Sequence, residues 1–256
     1  MALKKFKDIH KGETCYIFGD GPSVKWFDYN SFTNHIGFSC GKQIFHKDFD
    51  KLNIKYYTIP EPFLFYPKFL QPYKYLRNFD KLTKHLKKEM QKYNKINFFV
   101  NLSNLGFING SNIHFIHRLL YPNHQAFSKT NIDPFSGSFY TCLTLAYHMG
   151  FKKVYLIGHD AWTIKKISSQ RWFEFGKGKV KKIPKFIEDP YIKFLNNYME
   201  IISIINTNDP INVKSISYEK FSGKNPSYLE NDQLTSIKNL KIFDNYPLYN
   251  VLNDKT

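Results

Sequence analysis

The chain has 256 residues, of which 42% are hydrophobic and 18% aromatic, and its formal net charge is +16. That length suits one large domain, and the hydrophobic content excludes global disorder. The excess of lysine and arginine favours an anionic partner such as nucleic acid, a lipid head group or a charged small molecule. The first residues lack the apolar core of a signal peptide, and no apolar run approaches the roughly 18 residues of a membrane span, so we expect a cytoplasmic protein.

Short β-branched or aromatic runs alternate with amphipathic segments along the chain. The predicted strands are 14–19, 35–40, 54–59, 96–101, 153–158 and 212–217. The predicted helices are 22–31, 73–93, 111–120, 137–149 and 189–206. This alternation indicates an α/β fold, with a Rossmann-like, mostly parallel sheet and helices on both faces. Two segments depart from the pattern: a basic lid inserted at about 163–188 and an irregular segment at about 220–256.

A glycine-rich turn follows the first predicted strand and comprises Gly19, Asp20, Gly21, Pro22 and Ser23. Glycine lets a backbone approach a ligand closely, proline suits the first turn of a helix, and the free N–H groups there favour an anion. The turn lacks the third glycine of the dinucleotide fingerprint and the Lys-Ser/Thr ending of a P-loop. It predicts either a ligand-binding turn or a purely structural link between strand and helix.

Ligands of open parallel sheets bind beyond the carboxyl ends of the strands, which nominates the residues that follow the other predicted strands. They are Gly41 and Lys42 after 35–40, Glu61 after 54–59, and His159, Asp160 and Trp162 after 153–158. Ser136, Gly137 and Ser138 begin the predicted helix 137–149 and form a second candidate anion site. Two such sites on one edge of the sheet fit the phosphate and sugar of a nucleotide.

Cysteine and histidine spacing gives little support for a metal or a disulfide. Cys15, Cys40 and Cys142 are widely spaced in apolar segments, so we predict buried, reduced thiols. His114 and His117 would share a face of the predicted helix 111–120, either as a metal pair or as an ordinary surface pair. The aromatic, proline-containing run 56–79 predicts packing or an acceptor-binding surface, and no nucleic-acid-binding signature accompanies the basic residues.

Two longer segments resemble motifs of a known group of bacterial proteins. HKGETCYIFGDGPSVKWFDY resembles an opening motif that usually contains Gly-Asn-Gly-Pro-Ser, and SGSFYTCLTLAYHMGFKKVYLIGHD resembles a Ser-Gly helix followed by a strand ending in Gly-x-Asp. Both motifs occur, in this order, in the Campylobacter-type (Cst) sialyltransferases and in the MptE-like (DUF115) proteins, which include a pterin pyrophosphokinase. The resemblance implies a single Rossmann-like nucleotide-sugar-binding domain over 1–256.

The resemblance also implies roles for individual residues. In the sialyltransferases the first motif lines the CMP site and the Ser-Gly helix start lies near the donor. This implies nucleotide-binding roles for Gly19, Asp20, Gly21, Pro22, Ser23, Ser136 and Gly137. Asp160 matches the aspartate of Gly-x-Asp, and Trp162 replaces a tyrosine that hydrogen-bonds the leaving phosphate, a bond that its indole N–H can still donate.

Several positions depart from the family pattern. Asp20 stands where the sialyltransferases have asparagine, and Asp133 stands where they have arginine. Gly41 and Glu61 each lie near a position where those enzymes have asparagine. An acid beside a phosphate is repulsive, unless Asp20 binds a ribose hydroxyl or a metal instead.

The family's general base is a histidine that follows the lid, and this chain has no histidine beyond His159. His159 is the leading candidate to replace that base, with Glu61 and Glu188 as weaker candidates, and the alternative is a histidine that merely caps the sheet edge. In the lid, Arg171, Lys177, Lys181 and Lys182 are expected either to close over a phosphate or to form a solvated loop.

Three functions fit these observations. The first is a metal-independent, inverting glycosyltransferase without a cofactor, which moves a sialic acid or related nonulosonate from a CMP-sugar to a surface-glycan acceptor. Its basic surface would favour contact with anionic lipid at the inner face of the membrane, and homo-oligomers fit as well. The second is an MptE-like pyrophosphokinase, whose ATP and magnesium would need acids such as Asp20, Glu61, Asp133 and Asp160. The third is a nucleotide-binding protein that has lost catalysis.

Overall fold

The computed structural model describes residues 2–21, 24, 29–32, 34–46, 48–70, 79–117, 134–135, 137–159, 166–168, 180–182, 190–204 and 219–220. Ten strands lie in these ranges. They are β1 (Thr14–Phe18), β2 (Ile36–Cys40), β3 (Ile54–Ile59), β4 (Asn97–Asn101), β5 (Ile113–Ile116), β6 (Lys153–Ile157), β7 (Lys166–Ser168), β8 (Val180–Lys182), β9 (Glu200–Ile204) and β10 (Glu219–Lys220).

Eight of the described strands form one sheet in the order β10-β9-β6-β1-β2-β3-β4-β5. The pairings among β9, β6, β1, β2, β3, β4 and β5 are all parallel, and β10 is antiparallel to β9. The strands β7 and β8 form a separate antiparallel pair. The predicted α/β class with a mostly parallel sheet is confirmed.

Three α-helices are described, and their ranges are α1 (Phe79–Lys92), α2 (Ser138–His148) and α3 (Pro190–Asn196). Short 3₁₀ helices span Ala2–Phe6, Tyr29–Ser31, Gln43–Phe45, Phe49–Lys51, Lys68–Leu70 and Leu102–Asn104. Most residues of α2 are buried because its sequence is apolar or small on nearly all sides, which is typical of a core helix. Gly150, with a φ of +85°, allows the chain to leave the end of α2 in the left-handed conformation.

The sheet is buried on both faces, and alternate residues of each strand point to opposite sides. On one face Ile17, Phe38 and Leu156 pack with α2, α3 and the 3₁₀ helix Ala2–Phe6. On the other face Phe18 and Tyr57 pack with α1 and with the 3₁₀ helices after β1 and β2. Because helices cover both sides, the polar edge at the strand ends is where a ligand can be reached.

Two of the predicted helices are wrong in part. Within 111–120, residues Ile113–Ile116 form β5, whose alternating burial places His114 and Ile116 in the interior. Within 189–206, α3 ends at Asn196 and the β-branched run Glu200–Ile204 forms β9 beside β6. In short segments the helical and strand patterns of apolar residues overlap, and here pairing with a neighbouring strand decides the outcome.

The remaining predicted elements are confirmed where the structure describes them. Strands 14–19, 35–40, 54–59, 96–101 and 153–158 and helices 73–93 and 137–149 correspond to described elements that differ by a few residues at their ends. The predicted strand 212–217, residues 73–78, most of 22–31 and nearly all of 220–256 lie outside the described residues. The predicted lid contains the strands β7 and β8. Among the described helices, none has the length and apolarity needed to cross a membrane.

Candidate active site at the carboxyl edge of the sheet

The sheet has a topological switch point between β1 and β6. From β1 the chain runs outward through β2, β3 and β4 to β5, and then returns to β6 on the other side of β1 and continues to β9. Because the connections leave β1 and β6 in opposite directions, a crevice opens at the carboxyl ends of these two strands. Gly19, Asp20 and Gly21 follow β1, and Gly158 and His159 follow β6. The fold therefore brings two of the predicted segments to the same crevice.

The turns that follow β1 and β6 are locked together through their backbones. Gly19 N donates to Ile157 O at 2.8 Å, and Gly21 N donates to Gly158 O at 2.6 Å. A Cβ atom on Gly19 would lie 2.7 Å from Gly158 O and 2.7 Å from His159 Cε1. Gly158 has a φ of +66°, and a Cβ atom there would lie 2.6 Å from Gly19 O. The close contact between the turns requires glycine at both positions.

Asp20 connects the turn after β1 to the turn after β2. Its two carboxylate oxygens accept hydrogen bonds from Lys42 N at 3.0 and 2.9 Å. Gly41 has a φ of +66°, and a Cβ atom there would lie 2.1 Å from Asp20 Oδ2. The acid at this position thus has a role inside the chain, which neither the ribose nor the metal interpretation anticipated.

Gln43 is a buried residue of this site that the sequence did not nominate. Its Nε2 donates to Gly19 O, and its Oε1 accepts from Tyr29 OH at 2.8 Å. Nearby, Tyr57 OH donates to Gly41 O at 2.8 Å, and burial raises the pKa of Tyr57 well above its usual value. The sequence signal for Gln43 is weak, an amide two residues after Gly41 and directly before Ile44 and Phe45, and its partners become visible only in the fold.

His159 lies between the turn after β1 and the start of α2. Its ring is 7% exposed, and its centroid lies 4.8 Å from that of Phe139. Burial lowers the pKa of His159 to about 3, so the imidazole is neutral at pH 7. An efficient general base has a pKa near the working pH and can reach the substrate proton. Burial and pKa together favour a supporting role for His159 over the proton-accepting role expected from the sequence.

The start of α2 is a helix N-terminus at the same edge. Gly137 precedes the helix with a φ of +134°, and its carbonyl accepts from Thr141 N at 3.0 Å and from Thr141 Oγ1 at 2.8 Å. The first N–H groups of a helix have no partner within it and attract an anion. Of the residues that the structure describes, none would lie within 4 Å of a Cβ atom on Gly137.

Contacts from β3 hold α2 in this position. Thr58 Oγ1 lies 3.4 Å from Ser138 O and 3.2 Å from Cys142 Sγ. Beyond the end of β3, Ser138 Oγ donates to Glu61 Oε1 at 3.3 Å. Glu61 and Ser138, which are far apart in the sequence, are therefore neighbours at the site.

The thiols beneath this edge are confirmed as buried and free. A hydrogen bond with Cys142 and burial raise the pKa of Cys40 well above its usual value, and burial raises that of Cys15. Both are held as neutral thiols, which behave as small apolar side chains.

The predicted histidine pair is not on a helix. His114 lies on β5, where its Nε2 is 2.8 Å from Asn97 Oδ1, and burial together with the nearby Lys5 lowers its pKa to about 4. His117 follows that strand. In the part of the chain that the structure describes, no group of three or more His, Cys, Asp or Glu side chains is arranged to hold a metal ion.

Several predicted site residues cannot be placed. Pro22, Ser23, Asp133, Ser136, Asp160, Trp162, Arg171, Lys177 and Glu188 lie outside the described residues. The backbones of Lys181 and Lys182 lie in β8. Gly19, Asp20, Gly21, Gly41, Glu61, Gly137, Ser138 and His159 are described and share the carboxyl edge of the sheet.

No family model matches the chain, and no curated protein does. Among solved structures, the chain is similar to the monofunctional α-2,3-sialyltransferase Cst-I of Campylobacter jejuni, with 20% identity, a TM-score of 0.45 and 78% of each chain covered. It is similar to an α-2,3-sialyltransferase of Campylobacter jejuni in apo form, with 19% identity, a TM-score of 0.43 and coverage of 78% of this chain and 77% of that chain. The sialyltransferase Cst-II in complex with a trisaccharide acceptor and CMP overlaps at 15% identity with a TM-score of 0.41, covering 88% of this chain and 98% of that chain. Overlaps of this size carry no argument about function.

Proposed function

We propose that the chain is a glycosyltransferase that moves a sialic acid or related nonulosonate from a CMP-sugar to a surface-glycan acceptor. One observation carries this proposal. Both segments that resemble sialyltransferase motifs converge on the switch-point crevice, where the turn at Gly19 and the start of α2 at Gly137 lie on either side of His159. Open parallel sheets bind nucleotides at such crevices, and a helix N-terminus suits a phosphate.

The two elements have different parts in this proposal. The N–H groups at the start of α2, where no described residue crowds Gly137, receive the phosphate of CMP. The turn at Gly19, fixed by Ile157, Gly158 and Gln43, forms the rigid wall of the crevice. Gly41 and Glu61, which follow β2 and β3, extend the same edge toward the nucleoside.

The proposed reaction is an inverting displacement. An acceptor hydroxyl oxygen attacks the anomeric carbon of the donor sugar, the bond from that carbon to the CMP phosphate oxygen breaks, and the hydroxyl proton passes to a general base. The phosphate that departs carries the developing negative charge, which cations and N–H donors stabilise. Trp162 and the lid residues Arg171, Lys177, Lys181 and Lys182 are our candidates for that stabilisation.

His159 is assigned as a positioning residue in this scheme. Its neutral ring fills the space between the backbone of Gly19 and the ring of Phe139, and so fixes the distance between the wall and the phosphate site. The acceptor's proton then needs another base, for which Asp160, directly after His159 and part of the resembling motif, is our candidate.

The pyrophosphokinase alternative is less well supported by the acids that the structure describes. Magnesium and ATP require carboxylate oxygens that are available to the metal. Both carboxylate oxygens of Asp20 accept from Lys42 N, and Glu61 Oε1 accepts from Ser138 Oγ. The metal-independent transferase therefore remains our proposal.

Calorimetric titration with CMP and with ATP, each with and without magnesium, tests the proposal. We expect CMP to bind without magnesium and the Ser138→Trp variant to lose that binding, because the indole fills the space before α2. Asn94→Trp is the matched control, since Asn94 is an exposed turn residue before β4 at the opposite edge of the sheet. Release of CMP from CMP-sialic acid in the presence of a glycan acceptor then measures transfer.

Other results would overturn the proposal in distinguishable ways. Binding of ATP that requires magnesium, with no response to CMP, would favour the pyrophosphokinase. Tight CMP binding without transfer to any acceptor would favour a nucleotide-binding protein that has lost catalysis. Equal loss of CMP binding in Ser138→Trp and Asn94→Trp would remove the start of α2 from the site.

A further inference from the structure

Large apolar side chains are exposed at the loops that follow β3 and β4. Phe63 is 40% exposed, Phe69 78%, Leu70 52% and Leu105 58%. We call these four residues the apolar rim. Phe63 and Leu105 come shortly after the carboxyl ends of β3 and β4, at the same edge of the sheet as the switch-point crevice, and Phe69 and Leu70 belong to the 3₁₀ helix Lys68–Leu70 of the loop after β3. Exposed apolar patches of this kind mark interaction surfaces.

The apolar rim is displayed on a rigid support. Phe63 N donates to Ser103 Oγ at 2.8 Å, Phe65 N donates to Asn104 Oδ1 at 2.9 Å, and Asn104 Nδ2 donates to Glu61 O at 3.1 Å. These bonds tie the loop after β3 to the loop after β4. The apolar side chains therefore project from two connected loops whose polar groups bond to each other.

Phe63 is held in a conformation that a non-glycine residue rarely adopts. Its φ is +57°, in the left-handed region, where the Cβ atom of an L-residue is crowded. The hydrogen bond from its N–H to Ser103 holds the backbone there, and its ring packs edge-on against Tyr66 at a centroid distance of 5.2 Å. Strain of this kind persists at functional surfaces.

The chemistry of the apolar rim favours hydrocarbon over carbohydrate. Sugars stack on aromatic faces, whereas Leu70 and Leu105 are aliphatic and are among its more exposed members. Lys68, directly before Phe69, is exposed, Lys87 Nζ donates to Phe107 O at 3.0 Å in the loop after β4, and the whole chain carries a net charge of +16. Apolar side chains flanked by basic ones match the surface of a membrane that contains anionic lipid.

We propose that the apolar rim inserts into the head-group region of an anionic lipid bilayer and holds the carboxyl edge of the sheet against it. The basic residues supply the attraction to the anionic surface, and Phe69, Leu70 and Leu105 supply the apolar contact. Lipid binding by the apolar rim does not require the proposed transferase activity. If that activity holds, the crevice faces acceptors that are anchored in the same membrane.

Vesicle co-sedimentation tests this surface. The purified full chain is mixed with vesicles of phosphatidylcholine alone and of phosphatidylcholine with phosphatidylglycerol. We expect binding to the anionic vesicles, and a fall of more than about tenfold in the partition coefficient for the double variant Phe69→Ser, Leu105→Ser, because two apolar contacts are lost. The matched control is Ile9→Ser, Tyr198→Ser, whose side chains are 44% and 50% exposed before β1 and β9, at the opposite edge.

Three results would overturn the proposal. The first is no binding of the wild type to anionic vesicles. The second is equal binding by the wild type and the Phe69→Ser, Leu105→Ser variant, which would assign the attraction to charge alone. The third is an equal loss of binding in both double variants, which would make the apolar rim no different from any other exposed apolar site.

Two further measurements distinguish a loss of lipid binding from a loss of folding and from a failure of the proposed transferase activity. Far-ultraviolet circular dichroism and CMP binding of the Phe69→Ser, Leu105→Ser variant are expected to match those of the wild type. If that variant instead keeps vesicle binding but loses transfer to a water-soluble acceptor, the rim binds the glycan and the membrane proposal is wrong. If vesicles bind but CMP does not, the apolar rim stands while the transferase proposal fails.

Discussion

Two regions at the carboxyl edge of the sheet, the paired turns at Gly19 and Gly158 and the helix start at Gly137, differ in what surrounds their glycines. Around Gly19 and Gly158 there is no room, since a Cβ atom at either position would lie within 2.8 Å of the other turn's backbone. Around Gly137, no atom of the part of the chain that the structure describes would lie within 4 Å of a Cβ atom. In sequence Gly19 and Gly137 carry the same signal, a glycine beside a predicted helix start. In the fold, packing requires the glycines at 19 and 158, whereas no described residue crowds Gly137.

The difference between the crowded and the uncrowded glycines bears on where a nucleotide would bind. A glycine whose Cβ atom would strike backbone tells us that two strand ends must approach each other, and it would be required with or without a ligand. Gly137 has a φ of +134° and no described residue close to its Cβ position, so packing among the described residues does not explain the glycine there. We therefore propose that the phosphate of a nucleotide binds in front of α2 and that the turn at Gly19 forms a wall of the crevice.

The largest effect is expected from Gly158→Ala. The substitution adds left-handed strain to an overlap with Val24 and Gly19, so we expect the free energy of unfolding to fall by about 3 kcal/mol. Gly106→Ala is the matched control, because Gly106 has a φ of +87° and its Cβ atom would meet nothing within 4 Å. Strain alone is expected to lower its stability by about 1 kcal/mol. Urea denaturation measures both, and equal values would show that packing at the switch point is unimportant.

A second effect concerns the pH dependence of stability. The folded pKa of His159 is about 3 and an unfolded histidine has a pKa of about 6.5, so the unfolded chain binds the extra proton in between. The stabilisation that follows from this difference in pKa is complete above about pH 6.5 and is lost as the pH falls toward about 3. Between about pH 7.5 and about pH 5 we expect the free energy of unfolding to fall by about 2 kcal/mol on account of His159.

The His159→Gln variant tests the source of that loss. Denaturation of the wild type and the variant at both pH values is compared, and the variant is expected to lose about 2 kcal/mol less than the wild type. His114, whose pKa is also lowered, contributes in the same direction in both proteins and cancels. An unchanged pH dependence in the variant would mean that His159 is accessible to protons in the folded chain, and would restore it as a candidate base.

A third effect concerns the connection through Asp20. Asp20→Ala removes the acceptor of Lys42 N and is expected to lower the free energy of unfolding by about 2 kcal/mol, since a hydrogen bond to a charged group is lost. Asp20→Asn keeps an acceptor oxygen and is expected to recover most of that loss. Urea denaturation distinguishes the two variants. If both lose the same stability, the charge of Asp20 rather than its hydrogen bond to Lys42 holds the turns together.

The sequence predicts most of the sheet and part of the site, for physical reasons that particular residues illustrate. Runs such as Cys15–Phe18 are apolar throughout, and burial on both faces leaves them few alternatives to a central parallel strand. The short runs Ile113–Ile116 and Glu200–Ile204 were assigned to helices, because four or five residues do not separate the two periodicities. Their strand state depends on neighbours that are distant in sequence.

In the candidate site, too, some features follow from local sequence and others depend on residues that are distant in sequence. The positions of the glycines and of Glu61 follow from the rule that ligands meet the carboxyl ends of strands, and the fold brings them to one edge. The role of Gln43 depends on a contact with Gly19 that lies 24 residues away, and the environment of His159 depends on Phe139 from another element. Such contacts belong to the tertiary structure and have no local signature.

The smallest expected effect is a change in CMP affinity, and it tests where the phosphate binds. Glu61→Gln removes a negative charge beside Ser138, while the amide oxygen can still accept its hydrogen bond. We expect CMP to bind about threefold more tightly, because a charge several ångströms away in a water-accessible crevice repels an anion by less than about 1 kcal/mol. Asp20→Asn is expected to change CMP affinity less, since the proposed phosphate site lies before α2. Glu89→Gln on α1 is the control and should change nothing. Calorimetric titration ranks the three, and a larger gain in Asp20→Asn than in Glu61→Gln would move the phosphate to the turn at Gly19, where the glycines would then serve the ligand as well as the packing.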